Sequence, residues 1–189
     1  QRWFHPVQVH QRACRWIAKA RSMRAHAVEI RGVVPDPTPM LTHFDTHFRR
    51  AVNRAKAHAD RVIVVRQPWF DKSCTPEELA CMWHGGVGQA WQQNVTTFYS
   101  LGVLANLMTR LDDRTADLAR ELDVEQLDLM PMLEPSLRNY YDFFHATPTG
   151  ARVIAAEVAA AVLCSPASAV VPNATDCEPY GSELQLKVS

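Results

Sequence analysis

Val62-Ile63-Val64-Val65-Arg66-Gln67-Pro68 is a run of apolar, mostly β-branched residues closed by a proline. Unbroken apolar character with no polar alternation is that of a short strand covered on both faces, and Pro68, which has no N–H to donate, ends it. Working outward, Phe44, Phe48, Val52 and Ala55 recur at helical spacing, so an amphipathic helix is expected over residues 41–59. Leu104, Leu107, Met108, Leu111, Leu118 and Leu122 give a long helix over 104–122, with Asp112, Asp113, Arg114, Asp117 and Arg120 outside. A second strand is expected over 124–129, a loop over 131–141 and a last helix over 148–163, whereas residues 71–93 read as irregular or only partly helical. Strand, helix, strand, helix at these lengths implies parallel strands with helices packed on the faces. No internal repeat or low-complexity segment appears.

The chemistry concentrates in Tyr140-Tyr141-Asp142-Phe143-Phe144-His145-Ala146-Thr147-Pro148-Thr149-Gly150. An acid three residues before a histidine, in a loop that opens a helix, can set a carboxylate against one imidazole nitrogen. That contact fixes the tautomer and leaves the other nitrogen free to take a proton from a nucleophile. Thr147 suits the N-cap and Pro148 the first helical position, where a missing N–H costs nothing. Val153, Ile154, Val158, Val162 and Leu163 then supply a core-facing stripe. An isolated Asp-x-x-His is more often a surface pair beside packed aromatics. The aromatic approach, the Thr-Pro cap and the position late in the chain set this one apart. In an open α/β sheet, sites form outside the carboxyl ends of the strands, the edge on which both His145 and Pro68-Trp69-Phe70 are expected. Trp69 could there wall an acyl or sugar pocket, or pack in the core or a lid.

Asp142-x-x-His145 followed by Thr147, Gly150 and an Ile154-Ala155 helix resembles the last motif block of the SGNH (GDSL-type) esterase and lipase superfamily. The resemblance takes in Val62 to Pro68, similar to a strand leading into a Gln-Pro turn, and the strand over 124–129. It covers roughly residues 42–163. It implies that Asp142 and His145 complete a serine triad, and no metal or organic cofactor is implied.

Other blocks of that family are not found. No Gly-Asp-Ser occurs in the 189 residues. The nearest approach to the family's Gly-x-Asn-Asp, Gly32-Val33-Val34-Pro35-Asp36, has proline where the oxyanion-donating asparagine belongs. None of the serines is expected in a tight turn after a strand, and Gly181-Ser182-Glu183 lies in a polar tail beyond the histidine. With Gln1 in first position, the expectation is a fragment: residues 1–40 a basic, poorly ordered or divergent segment, 41–164 the C-terminal portion of an SGNH-hydrolase-like domain, and 165–189 a loose tail.

Charge is unevenly spread within a formal total of zero. Residues 1–61 hold twelve Lys/Arg against four Asp/Glu, and the remainder holds eight against sixteen. A basic arm can touch nucleic acid or acidic lipid. Stacking aromatics are sparse beyond Trp3, Phe4 and Trp16, so the arm reads as a solvated segment and no nucleic-acid partner is expected. No apolar run reaches membrane-spanning length, since Glu157 and Pro166 interrupt the best candidate. Five scattered cysteines fit neither a disulfide framework nor a zinc pattern, although a Cys74–Cys81 bridge stays open, as does a metal role for those two with His84. His43 and His47, four apart on one helical face, could chelate a metal, but lack the Glu of His-Glu-x-x-His and an evident third ligand. Gly85-Gly86-Val87-Gly88 follows no clear strand and reads as a flexible loop over the site rather than a phosphate cradle.

The expected molecule is therefore α/β: a flavodoxin-like, three-layer α/β/α domain with a parallel sheet, present in part. Its expected activity is serine ester hydrolysis, with His145 as the base and Asp142 as its orienting partner. The substrate is a small-molecule, lipid or glycan ester, and the 189 residues taken alone are expected to be inactive. A non-catalytic binding module on an esterase fold is the alternative. Neither compartment nor oligomeric state is set by the sequence.

Overall fold

The computed structural model describes residues 6–90 and 92–164, with side chains from residue 13 onward. The tail over 165–189, with Ser182 and Cys177, lies outside the described residues, as do Trp3 and Phe4. Among the described residues the chain runs α1 (Pro6–Ala25), β1 (Glu29–Arg31), α2 (Thr38–Lys56), β2 (Ile63–Arg66), α3 (Pro76–Cys81), β3 (Thr97–Tyr99), α4 (Leu101–Glu121), β4 (Glu125–Asp128) and α5 (Pro148–Leu163). The fold is mixed α/β.

The run at Val62 forms β2, which pairs in parallel with β4 in a register that sets Ile63 opposite Glu125 and Arg66 opposite Asp128. Parallel neighbours need a long crossover, and α4 supplies its helix, packing against β2, β4 and α2. A second, separate parallel pair joins β1 to β3, with Glu29 opposite Thr97 and Arg31 opposite Tyr99. These three-residue strands are too short for an alternation pattern to register. Where residues 1–40 are expected to be basic and poorly ordered or divergent, the structure has α1 and β1 from residue 6 onward. Helix α1 is tied down by Arg21, whose guanidinium donates to the carbonyls of Cys81 at 3.0 Å and Tyr141 at 2.8 Å. Trp16 also meets the edge of Trp83, with ring centroids 4.8 Å apart. Within the stretch expected as irregular, Thr75-Pro76-Glu77-Glu78 starts α3. Its capping box has the Thr75 side chain accepting from the Glu78 amide while the Glu78 carboxylate accepts from the Thr75 amide.

The core gathers Trp69, Phe70, Met82, Leu133, Tyr140 and Phe143, each at most 2 % exposed. Burying side chains of this size contributes about 1.5–3 kcal/mol apiece. Asp112, expected on the outer face of its helix, is instead buried at 8 % exposure. One of its carboxylate oxygens accepts from both the Trp69 indole N–H, at 2.9 Å, and Arg66, at 2.8 Å. Arg66 in turn reaches Asp128 at 2.9 Å, so α4, β2 and β4 meet around one ionic network. Removing a partner from a buried charge pair strands the other, whereas an exposed pair contributes little. Asp112→Ala is therefore expected to lower stability by about 3 kcal/mol. Asp128→Ala, at the half-exposed end of the network, should cost less than about 1 kcal/mol. Urea unfolding of the two variants checks the difference, and equal losses would contradict it.

Candidate functional site

The loop over residues 139–147 folds back on itself before α5 begins. Tyr141 N–H donates to the His145 carbonyl at 3.0 Å, Thr147 N–H to the Asn139 carbonyl at 2.8 Å, and Tyr140 and Ala146 form an isolated antiparallel bridge. Thr147 is the N-cap of α5, its hydroxyl accepting from the Gly150 amide at 3.2 Å and donating to the Arg138 carbonyl. Gly150 makes the closure possible: a Cβ there would sit 2.3 Å from the Asn139 carbonyl oxygen. The loop lies at the carboxyl end of β2, where Phe70 N–H donates to the Phe143 carbonyl at 3.0 Å.

Inside this loop Asp142 has no exposed surface. Its Oδ1 accepts from the amides of Phe144 and His145, both at 2.9 Å. Its Oδ2 accepts from the indole N–H of Trp83 at 2.9 Å. His145 Nδ1 lies 2.8 Å from Oδ2 and 2.9 Å from Oδ1. An ionised carboxylate only accepts, so Nδ1 carries the proton and Nε2 is left as the basic nitrogen. The His145 side chain is 49 % exposed. Burial works to push the Asp142 carboxyl up. The two amides and the His145 ring outweigh it and hold the carboxyl below its ordinary value.

Two residues that sequence reasoning left outside the site complete it. Trp83 holds Asp142, and its ring lies nearly parallel to that of His145 with centroids 6.1 Å apart. His84 stacks on Trp83 at 3.9 Å and meets the Phe144 ring edge-on at 4.6 Å. Both His84 ring nitrogens are buried, with no hydrogen-bond partner among the described residues. Burial, ahead of nearby charges, pushes its pKa down to about 4, so the ring stays neutral beside the dyad. A Trp-His pair just ahead of Gly-Gly was the available signal. Lying in an aperiodic stretch, His84 enters the sequence reading only as a metal ligand beside Cys74 and Cys81.

The other expected residues fall elsewhere. Trp69 is 2 % exposed and stacks on Phe143, centroids 5.6 Å apart. The Asp112 carboxylate gives its indole N–H a buried partner, so the ring packs beneath the dyad loop instead of walling a pocket. Gly85-Gly86-Val87-Gly88 is pinned along β3 and does not hang free: Tyr99 N–H donates to the Gly85 carbonyl at 2.7 Å and Val87 N–H to the Thr97 carbonyl at 3.0 Å. Cys74 and Cys81 are separate thiols. The rings of His43 and His47 lie 4.2 Å apart. Among the described residues, the one group of three with ligand atoms close enough to hold a metal is His84, Asp142 and His145, all within 4.8 Å of one another. Asp142 already accepts four N–H donors, and a cation would have to displace them. The donor set thus fits a hydrogen-bonded cluster better than a metal centre.

No protein-family model, curated protein or solved structure matches this chain. The functional reading accordingly rests on the geometry. Among the described residues no helix is long and apolar enough to cross a membrane.

Gly150→Ala should destabilise by about 2 kcal/mol or more, despite alanine's advantage of about 1 kcal/mol within helices. Thermal or urea unfolding reads this, and a stabilised variant would show that the Asn139 contact yields freely. His84 carries a pH signature. Between its ordinary 6.5 and about 4 the unfolded chain takes up a proton that the folded ring refuses, so stability falls as pH drops through that window. Asp142, with its lowered pKa, adds a loss only at still lower pH, as pH falls through the folded value. Unfolding free energies at pH 7, 5.5 and 4.5 should therefore slope less in His84→Phe than in the parent. Identical slopes would mean that His84 protonates as freely in the folded state as in the unfolded one.

Proposed function

We propose that Asp142 and His145 are the acid–base half of a serine ester hydrolase. The observation that supports this best is a fully buried carboxylate hydrogen-bonded to Nδ1 of a half-exposed imidazole, at 2.8 Å. A serine hydroxyl attacks the acyl carbonyl of a small-molecule, lipid or glycan ester. Nε2 of His145 accepts the hydroxyl proton and delivers it to the leaving alcohol as the acyl-serine forms. It then takes a proton from the water that releases the acid and returns it to the serine. Asp142 keeps the ring in the productive tautomer and stabilises the imidazolium. Neutral His84 adds no positive charge to the cluster. The parallel β2–β4 pair, joined through α4 and with the dyad loop at its carboxyl end, favours a flavodoxin-like three-layer arrangement as the setting. The serine is not assigned: no Gly-Asp-Ser block occurs in residues 1–189. Neither nucleic acid nor a cofactor enters this reading.

A non-catalytic binding module is the second reading. It is favoured by one observation: a cleft that Phe143 helps to line includes neither Asp142 nor His145.

The test is made on the longest natural reading frame that contains these residues, with p-nitrophenyl acetate and butyrate as substrates. His145→Ala is expected to lower kcat by at least roughly 10³-fold, and Asp142→Asn by roughly 10⁴-fold through loss of the productive tautomer. A fluorophosphonate should label one serine in the parent and label it more slowly in His145→Ala. Equal turnover in parent and variants would remove the hydrolase reading and leave the binding module.

A further inference from the structure

Phe143, the neighbour of Asp142 in the chain, also lines a cleft of about 960 Å³. That is the upper end of the range for pockets that enclose small organic ligands. Phe70, Met82, Leu101 and Ala105 give the cleft apolar walls, and Arg21, Arg24, Lys72 and Asp71 bring charge to it.

The charges are not balanced. Lys72 is taken by Glu78, at 2.7 Å. Arg24 is the one buried arginine among the described residues, at 8 % exposure. It donates to the carbonyls of His84 and Tyr99, the latter at 3.1 Å, and its guanidinium lies 5.6 Å from the centre of the Phe98 ring. Among the described residues it faces no carboxylate. A buried cation without an anion is costly, and carbonyl dipoles offset that only in part. Burial pushes the Arg24 pKa down, the sign of the same mismatch. Arg21, one helical turn earlier on α1 and lining the same cleft, binds only carbonyls among the described residues. Elsewhere Arg31, Arg49, Arg61, Arg66, Arg114 and Arg120 each meet a carboxylate, while the exposed Arg50 and Arg110 pair with His47 and Asn106. Two guanidiniums against the single exposed acid Asp71 leave one negative charge to be supplied.

We propose that this cleft binds an organic monoanion with an apolar body, its anionic group held by Arg24 and Arg21 and its body laid against Leu79, Leu101 and Ala105. Planar, multiply donating guanidiniums suit a carboxylate, sulfonate or phosphate diester head. The site does not depend on the hydrolase reading, because it uses neither residue of the dyad.

Two fluorescent probes separate charge from shape: 1-anilinonaphthalene-8-sulfonate, and N-phenyl-1-naphthylamine, which has the same aromatic body without the sulfonate. Titrated into the 189-residue chain, the sulfonate should saturate a single site at least tenfold more tightly than the neutral amine, and its affinity should fall with added salt. Arg21→Gln should weaken the sulfonate at least fivefold and leave the amine unchanged. Arg24→Gln should do the same where circular dichroism shows the parent fold. Gly102→Trp tests location, since Gly102 lines the cleft and a Cβ there meets only Ser100 Oγ, at 3.9 Å. The indole should fill the cleft and exclude both probes. Equal affinity for the two probes, or sulfonate binding unchanged by both Arg21→Gln and Gly102→Trp, would overturn the proposal.

Discussion

A carboxylate with no exposed surface must be met by donors on all sides, and Asp142 organises its surroundings around that requirement. Two of its donors are backbone amides only two and three residues ahead, so the chain must turn tightly, and the turn delivers the His145 ring to the same carboxylate. A third is the Trp83 indole, which draws in the segment after α3 from 59 residues away. With Trp83 come His84, stacked on it, and the start of the glycine turn beside β3. Without the carboxylate, three N–H groups and an imidazole would lose a buried acceptor together.

The aromatic residues around this centre divide into two kinds. Trp69, Phe70, Tyr140 and Phe143 interlock by stacked and edge-on contacts in the core and hold the loop from below. Trp83, His84 and Tyr141 stand around His145, with the Tyr141 and His145 rings nearly parallel and 5.4 Å apart. The first group supplies apolar burial. The second supplies a polarisable, largely uncharged wall, which leaves the Asp142–His145 contact little screened by other ions. Asp112 plays for the sheet the part that Asp142 plays for the loop: one buried carboxylate, one indole and one cationic or ionisable ring or fork.

What the sequence makes legible follows the range of the interactions involved. The dyad depends on residues three apart and on a Thr-Pro cap, so its geometry could be read directly from Asp142 to Gly150. Helix α5 fell on its expected bounds, and β2 and β4 were found within a residue or so, because β-branched runs and leucine periodicity are local patterns. Helix α2 begins at Thr38, ahead of its expected start at 41, because Pro37 and Pro39 stand at its N-terminus and conceal a start that the apolar spacing does not mark. Strands β1 and β3 carry three residues each and owe their existence to pairing across the chain. Trp83 could not be assigned to the site, nor Asp112 to the interior. Each is placed by hydrogen bonds to residues more than forty positions away, which no window along the sequence contains.

That contrast in range gives the molecule two grades of permanence. Helix α1 is attached through contacts spanning 60 to 120 residues, by carbonyls that accept from Arg21 and Arg24 and by the edge of one indole. The loop carrying His145 is closed by its own backbone. A helix held by a few long-range polar contacts opens as a unit at a lower free energy than the aromatic core beneath it. Amide hydrogen exchange should therefore run through α1 well before it reaches the amides of Phe144 and His145. In that partly open form the Asp142–His145 pair keeps its geometry while the cleft loses one of its walls, so the pair and the proposed anion seat belong to different cooperative units of one small chain.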